Sequence, residues 1–288
     1  MTRMALDGLH PGRAVWLNVE VAGEGVPLVL LHGFTGSAAT WQPFAAAWPG
    51  FRTIAVDLIG HGASDAPADE SRYTMARCVA DVTALLDALG AGRTAVLGYS
   101  MGGRVALHLA LAAPDRITAL VLEGASPGIA DADERRERVA SDRALADDIE
   151  RAGVEAFVDR WQALPLFATQ ARLPDAVRER LRAQRLGNSA AGLANSLRGM
   201  GAGTTEPLLA RLHELSMPVL LVAGEHDVKY RALALAMRDR MPDARVQIAP
   251  DAGHAVHLEQ PAAFAALVKE FLTSCLRQSE RQAPSARR

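Results

Sequence analysis

A chain of 288 residues, 49% of them hydrophobic, carries enough apolar material for one large domain or two ordinary ones. Its formal charge of −2 supplies no global attraction to nucleic acid or an anionic membrane, so function must reside in a local site. Cys78 and Cys275 lie far apart and suggest neither a disulfide framework nor a thiolate metal site, which fits a reducing cytoplasm. No stretch reads as a signal peptide or a membrane span, so a cytoplasmic protein without membrane insertion or a nucleic-acid partner is expected.

In chain order, "RAVWLNVEVAGEGVPLVLLHG" reads as two strands joined across "AGEG", a hairpin that would start a sheet antiparallel. "GVPLVLLHG", "FRTIAVDLIG", "RTAVLGYS" and "ITALVLEGAS" are short, rich in Val, Leu and Ile, and end in Gly or Ser, as buried parallel strands do. Between them lie helix-period stretches, "MARCVADVTALLDALG" closed by a glycine and "MGGRVALHLALAAP" closed by a proline. This alternation predicts an α/β fold with a mostly parallel sheet flanked by helices.

The alternation stops for residues 128–214, which are charged and helical, and resumes with "MPVLLVAGEHD" and "ARVQIAPDAGH". So long a break predicts a helical lid, residues 128–214, inserted into a core made of residues 1–127 and 215–274. Residues 275–288 lose apolar periodicity and read as a disordered tail. Oligomeric state has no signature in the sequence.

Ser100, flanked by Gly98, Tyr99, Met101 and Gly102 where a strand meets a helix, fits a nucleophile elbow, a turn too tight for large neighbours. The same pattern alone also fits a helix-capping serine. A serine hydroxyl becomes reactive only when a histidine takes its proton and a carboxylate holds that histidine. Asp227 after "PVLLVAGEH" and His254 after "ARVQIAPDAG" follow strands, so both would project from the carboxyl end of the sheet, where Ser100 also sits. His226, beside Asp227, and His257, opening a helical run, read as structural or peripheral. An oxyanion site needs two backbone donors; Met101 after the serine and Phe34 in "LLHGFTGS" are the candidates. "DLIGHGASD" reads as a loop-shaping segment, and no spacing suggests a metal site.

Together, "HGFTGS", "DLIGHGAS", "GYSMGG", "GEHD" and "AGH" resemble the α/β-hydrolase superfamily across nearly the whole chain. Serine at position 100 argues against the branches with an aspartate nucleophile, such as haloalkane dehalogenases and epoxide hydrolases. The lid stretches "ERRERVASDRALA", "FVDRWQALPLFATQ" and "RLGNSAAGLANSLRGMGAG", with "LEGASPGI" and "GEHDVKY", resemble the 2-succinyl-6-hydroxy-2,4-cyclohexadiene-1-carboxylate synthase family, often called MenH.

That resemblance implies a cofactor-free lyase of menaquinone biosynthesis that eliminates pyruvate from a small polycarboxylate, with Ser100, Asp227 and His254 as its triad. It further implies arginine clamps at Arg104, Arg138 and Arg185, planar forks suited to carboxylates. Arg135 and Arg136 compete with Arg138 through a small alignment slip. Tyr99 and Trp161 complete the implied pocket, each also readable as core. Tyr230 stands where the family leads one to expect Phe. The same triad would serve a hydrolase of esters, or of carbon–carbon bonds in ring-cleavage products, and that alternative stays open.

Overall fold

Six apolar runs of six or seven residues form the parallel part of the sheet: β3 (Val26–Leu31), β4 (Phe51–Val56), β5 (Thr94–Tyr99), β6 (Ile117–Glu123), β7 (Val219–Gly224) and β8 (Ala244–Ala249). The computed structural model describes residues 2–6 and 15–282. Two further strands, β1 (Thr2–Leu6) and β2 (Val15–Ala22), run antiparallel at one edge, and the order is β1-β2-β4-β3-β5-β6-β7-β8.

The antiparallel start is present, but the expected hairpin is not: β2 pairs with β4, and β4 separates it from β3. Two physical reasons combine. Gly23 (φ 74°) and Gly25 (φ 112°) bend the chain so that Val26 N–H donates to Gly50 O at 3.0 Å, seating β3 beside the start of β4. In addition β3 and β4 have both faces covered, which suits the centre, whereas β2 exposes Trp16 and Val21 and suits the margin. At the other margin β8 is an edge strand with Arg245 and Gln247 exposed, not the fully buried strand its apolar run suggested.

Alternate residues along each strand serve opposite faces. Val29, Leu31, Ile54, Val56 and Leu120 pack with α1 (Met75–Ala88), α2 (Met101–Ala112) and α6 (Val228–Arg238). Leu28, Leu30, Leu97 and Val121 pack with Trp41, Trp48 and α8 (Pro261–Gln282). Each such Leu or Val contributes roughly 1.5–3 kcal/mol by leaving water. α8 continues through Gln282, past the expected start of the tail, because Cys275 is buried and Leu276 packs on the same cluster. Residues 283–288 lie outside the described residues.

Between β6 and β7 the chain forms α3 (Ala132–Gln162), α4 (Asp175–Leu186) and α5 (Ala190–Met200). Gly153 (φ 84°) breaks α3 into two helical pieces that fold over α5, burying Ile149, Phe157, Val158 and Leu193 in a cluster of their own. Two polar side chains dock this layer on the sheet loops. Gln184 accepts from the Ser37 and Thr40 N–H groups at 2.9 and 3.1 Å. Asn188 donates to Thr35 O at 2.9 Å and accepts from Gly62 N–H at 3.0 Å. No helix among the described residues is long and apolar enough to cross a membrane.

Candidate active site

The turn from β5 into α2 places Ser100 at φ 50°, ψ −107°, a strained conformation for a side-chain-bearing residue. Glycines make it possible. A Cβ on Gly98 or Gly102 would strike the Gly102 or Leu31 carbonyl, so the elbow closes only without side chains there. The Ser100 N–H donates to Glu123 O at 2.8 Å, which ties the elbow to the end of β6.

His254 Nε2 lies 3.0 Å from Ser100 Oγ, and His254 Nδ1 lies 2.6 Å from Asp227 Oδ2. The carboxylate accepts only, so Nδ1 carries the hydrogen and Nε2 is left to accept from the serine hydroxyl. Asp227 also caps α6, its Oδ1 accepting from Tyr230 N–H at 3.4 Å. His254 and Asp227 are buried, at 3% and 6% exposure, so water competes little for the relay.

Ser100 and His254 open onto a cavity of about 490 Å³ between the carboxyl end of the sheet and α3, α4 and α5. Every site residue named from the sequence lines it except Asp227, which stands behind His254. Phe34 and Met101 form the wall beside the serine. Tyr99 packs against His254, and Gly33 leaves room for it, since a Cβ there would come within 2.7 Å of the ring. Trp161 is both wall and core: it meets Phe34, Phe157 and Phe167 edge-on or tilted at 5.3, 5.5 and 5.6 Å.

The guanidinium groups occupy different parts of the cavity wall. Arg104 donates to Met200 O at 2.9 Å, and burial pulls its pKa down from the ordinary arginine value. Arg138 donates through Nε to Asp142 Oδ1 at 2.8 Å. Arg135 and Arg136 do not line the cavity, and Arg136 pairs with Asp133 at the surface. Arg185, 5% exposed, lies over the Phe167 ring at 5.2 Å and donates to Gln170 Oε1 at 3.2 Å. An arginine stays charged even so, which makes these groups held cations facing a hollow.

Several residues near the chemistry escaped the sequence reading. Tyr230, noted only as a departure from Phe, packs its ring 4.4 Å from that of His254 and lines the cavity. Asp142, Gln170 and Gln184 also line it. For Asp142 a signal existed, its position one helical turn after Arg138; for the glutamines there was none. His257, read as structural, is buried with Glu123, whose carboxylate lies 2.9 Å from both His257 N and Nδ1. Outside the cavity, exposed Glu225, His226 and Asp251 bring donor atoms within 4.8 Å of one another, a proximity that spacing could not reveal.

A family model for the alpha/beta hydrolase fold matches residues 26–261. A Bacillus subtilis (strain 168) protein provisionally named 2-succinyl-6-hydroxy-2,4-cyclohexadiene-1-carboxylate synthase is 47% identical over 258 residues, 88% of this chain and 94% of its own. This chain belongs to that synthase family. The synthase of Serratia proteamaculans (strain 568) is 33% identical, covering 86% of this chain and 93% of its own length. Among solved structures, MenH from S. aureus superposes with a TM-score of 0.86 at 33% identity, covering 90% of this chain and 98% of that one. The synthase-family match spans the helices between β6 and β7 as well as the sheet, so it reaches the residues that roof the cavity.

Proposed function

We propose that this protein eliminates pyruvate from 2-succinyl-5-enolpyruvyl-6-hydroxy-3-cyclohexene-1-carboxylate, giving 2-succinyl-6-hydroxy-2,4-cyclohexadiene-1-carboxylate, a step of menaquinone biosynthesis. The observation that carries the reading is one cavity with Ser100 and His254 at its floor, Asp227 behind the histidine, and Arg104, Arg138 and Arg185 in its walls. A hydrolase of neutral esters has no use for so many held cations, whereas a polycarboxylate has a counter-charge for them.

The two ring systems differ by a proton at carbon 2, the enolpyruvyl group at carbon 5 and the position of the double bonds. Ser100, its own proton passed to His254 Nε2, takes the carbon-2 proton beside the succinyl carbonyl. Charge then develops on that carbonyl oxygen, where the Phe34 and Met101 N–H groups and the start of α2 act as donors. Reformation of the ring double bonds at positions 2 and 4 expels enolpyruvate from carbon 5. His254 holds the proton that the departing group or its pyruvate tautomer requires. Asp227 keeps His254 in the accepting tautomer and stabilises the imidazolium between the two transfers. The helices between β6 and β7 act in this reading as the lid over the ring, and the enzyme works in the cytoplasm.

Pyruvate release, coupled to lactate dehydrogenase and corrected for spontaneous breakdown, tests the reading. Ser100→Ala is expected to fold normally and to lose kcat by about 1000-fold or more. Wild-type release no faster than background would overturn the lyase reading and direct attention to aryl-ester hydrolysis.

A further inference from the structure

Asp142 is buried to 4% exposure on the wall of the cavity, yet only one of its oxygens is engaged. Oδ1 accepts from Arg138 Nε at 2.8 Å; Oδ2 is buried and has no hydrogen-bond partner among the described residues. Leaving a buried carboxylate oxygen unpaired is costly, and native proteins rarely do so without a missing partner. Gly201, which also lines the cavity, packs against that oxygen with nothing but its backbone: a Cβ at position 201 would sit 2.5 Å from Oδ2. Beside it, Arg104 and Arg138 present guanidinium groups, and Arg104 Nε likewise lacks a partner among the described residues. This end of the cavity therefore offers cationic donors and, among the described residues, one carboxylate acceptor side by side.

From this juxtaposition we infer that Asp142 is a specificity-determining residue: its free oxygen accepts a hydrogen bond from a ligand hydroxyl on the carbon next to a carboxylate-bearing carbon, while Arg104 and Arg138 hold that carboxylate. The inference rests on the lyase reading, whose substrate and product each carry a 1-carboxylate and a 6-hydroxyl on adjacent ring carbons. A carboxylate cannot substitute for the hydroxyl, because it has no hydrogen to give and would meet Asp142 charge to charge. The site thus selects the hydroxyl positively and rejects a second acid at the same place.

The test uses binding without turnover, so that failure of the lyase reading, seen as absent pyruvate release, is scored separately. Calorimetric titration compares 2-hydroxycyclohexane-1-carboxylate, in cis and trans forms, with cyclohexanecarboxylate. Wild type is expected to prefer one hydroxy acid by about tenfold, the scale of a hydrogen bond to a charged group. In Asp142→Ala that preference should collapse to about twofold or less, with the deoxy acid bound at least as well as before. Asp142→Asn keeps the shape and replaces a charged acceptor by a neutral amide, so the preference should fall to about threefold. Equal binding of both acids by wild type overturns the inference and does not depend on any variant folding. A tenfold preference that survives in either variant overturns it as well.

Discussion

At the scale of single residues, the cavity holds Arg104 by one hydrogen bond to a main-chain carbonyl and leaves its Nε without a partner among the described residues. Such an arginine is poised for a ligand. Arg104→Ala is expected to lower kcat/KM by about 2 kcal/mol, or roughly 30-fold, the cost of one lost charged hydrogen bond. A value within about twofold of wild type would make Arg104 a support for the Met200 carbonyl and nothing more. The serine, histidine and aspartate were legible in sequence because the chemistry demands those residue types, each just after a strand. Asp142, although one helical turn after Arg138, and Tyr230 were not singled out, since an aspartate on a charged helix and a tyrosine after a strand have ordinary roles that outnumber special ones. Only their proximity to Arg138 and His254 distinguishes them.

Among elements, the end of β6 does more than complete the sheet. Glu123, fully buried, binds the elbow through its main-chain oxygen and α7 (Val256–Glu259) through its carboxylate on His257. His254 lies three residues before His257, so the same strand end positions both Ser100 and His254. Removing one member of a buried hydrogen-bonded pair leaves the other's polar atoms without a partner, and Glu123→Ala is expected to cost about 1–3 kcal/mol in urea-denaturation free energy. Glu123→Ala with His257→Ala should cost clearly less than the sum of the two single changes, because the stranded partner is gone. Strict additivity would mean that the pair is not an energetic unit. Strand identities were readable from apolar runs, yet β2 pairing with β4 was not, because pairing depends on which neighbours cover each face of β3 and β4.

For the whole molecule, burial sets a pH limit. His32 accepts from Leu58 N–H at 3.0 Å and His61 lies beside it, ring centroids 5.1 Å apart. Burial lowers the His32 pKa from 6.5 to about 4, a backbone hydrogen bond to Gly33 opposing it. Burial lowers that of His61 to about 3, aided by its proximity to His32. Both imidazoles are neutral when folded, so between pH 6.5 and these values the unfolded chain binds more protons than the native one. Their contribution is complete above the unfolded pKa and is lost as pH falls: on the order of 3 kcal/mol from His32 alone by about pH 4. Urea melts at about pH 7.5, 5.5 and 4.5 should show unfolding free energy decreasing at each step. A flat profile would mean that these rings accept protons without unfolding.

The sequence by itself determined the α/β class, the elbow at Ser100, the order Ser100, Asp227, His254, and the helical block between β6 and β7, because each follows from local periodicity, glycine placement or residue chemistry. Tertiary structure alone decided which arginines between β6 and β7 face the cavity, which glutamate lies behind Ser100, and that Asp142 Oδ2 has no hydrogen-bond partner among the described residues. Those facts depend on contacts between residues as much as 134 positions apart, as for Glu123 and His257, and no local pattern encodes which distant backbone will arrive to cover a polar atom.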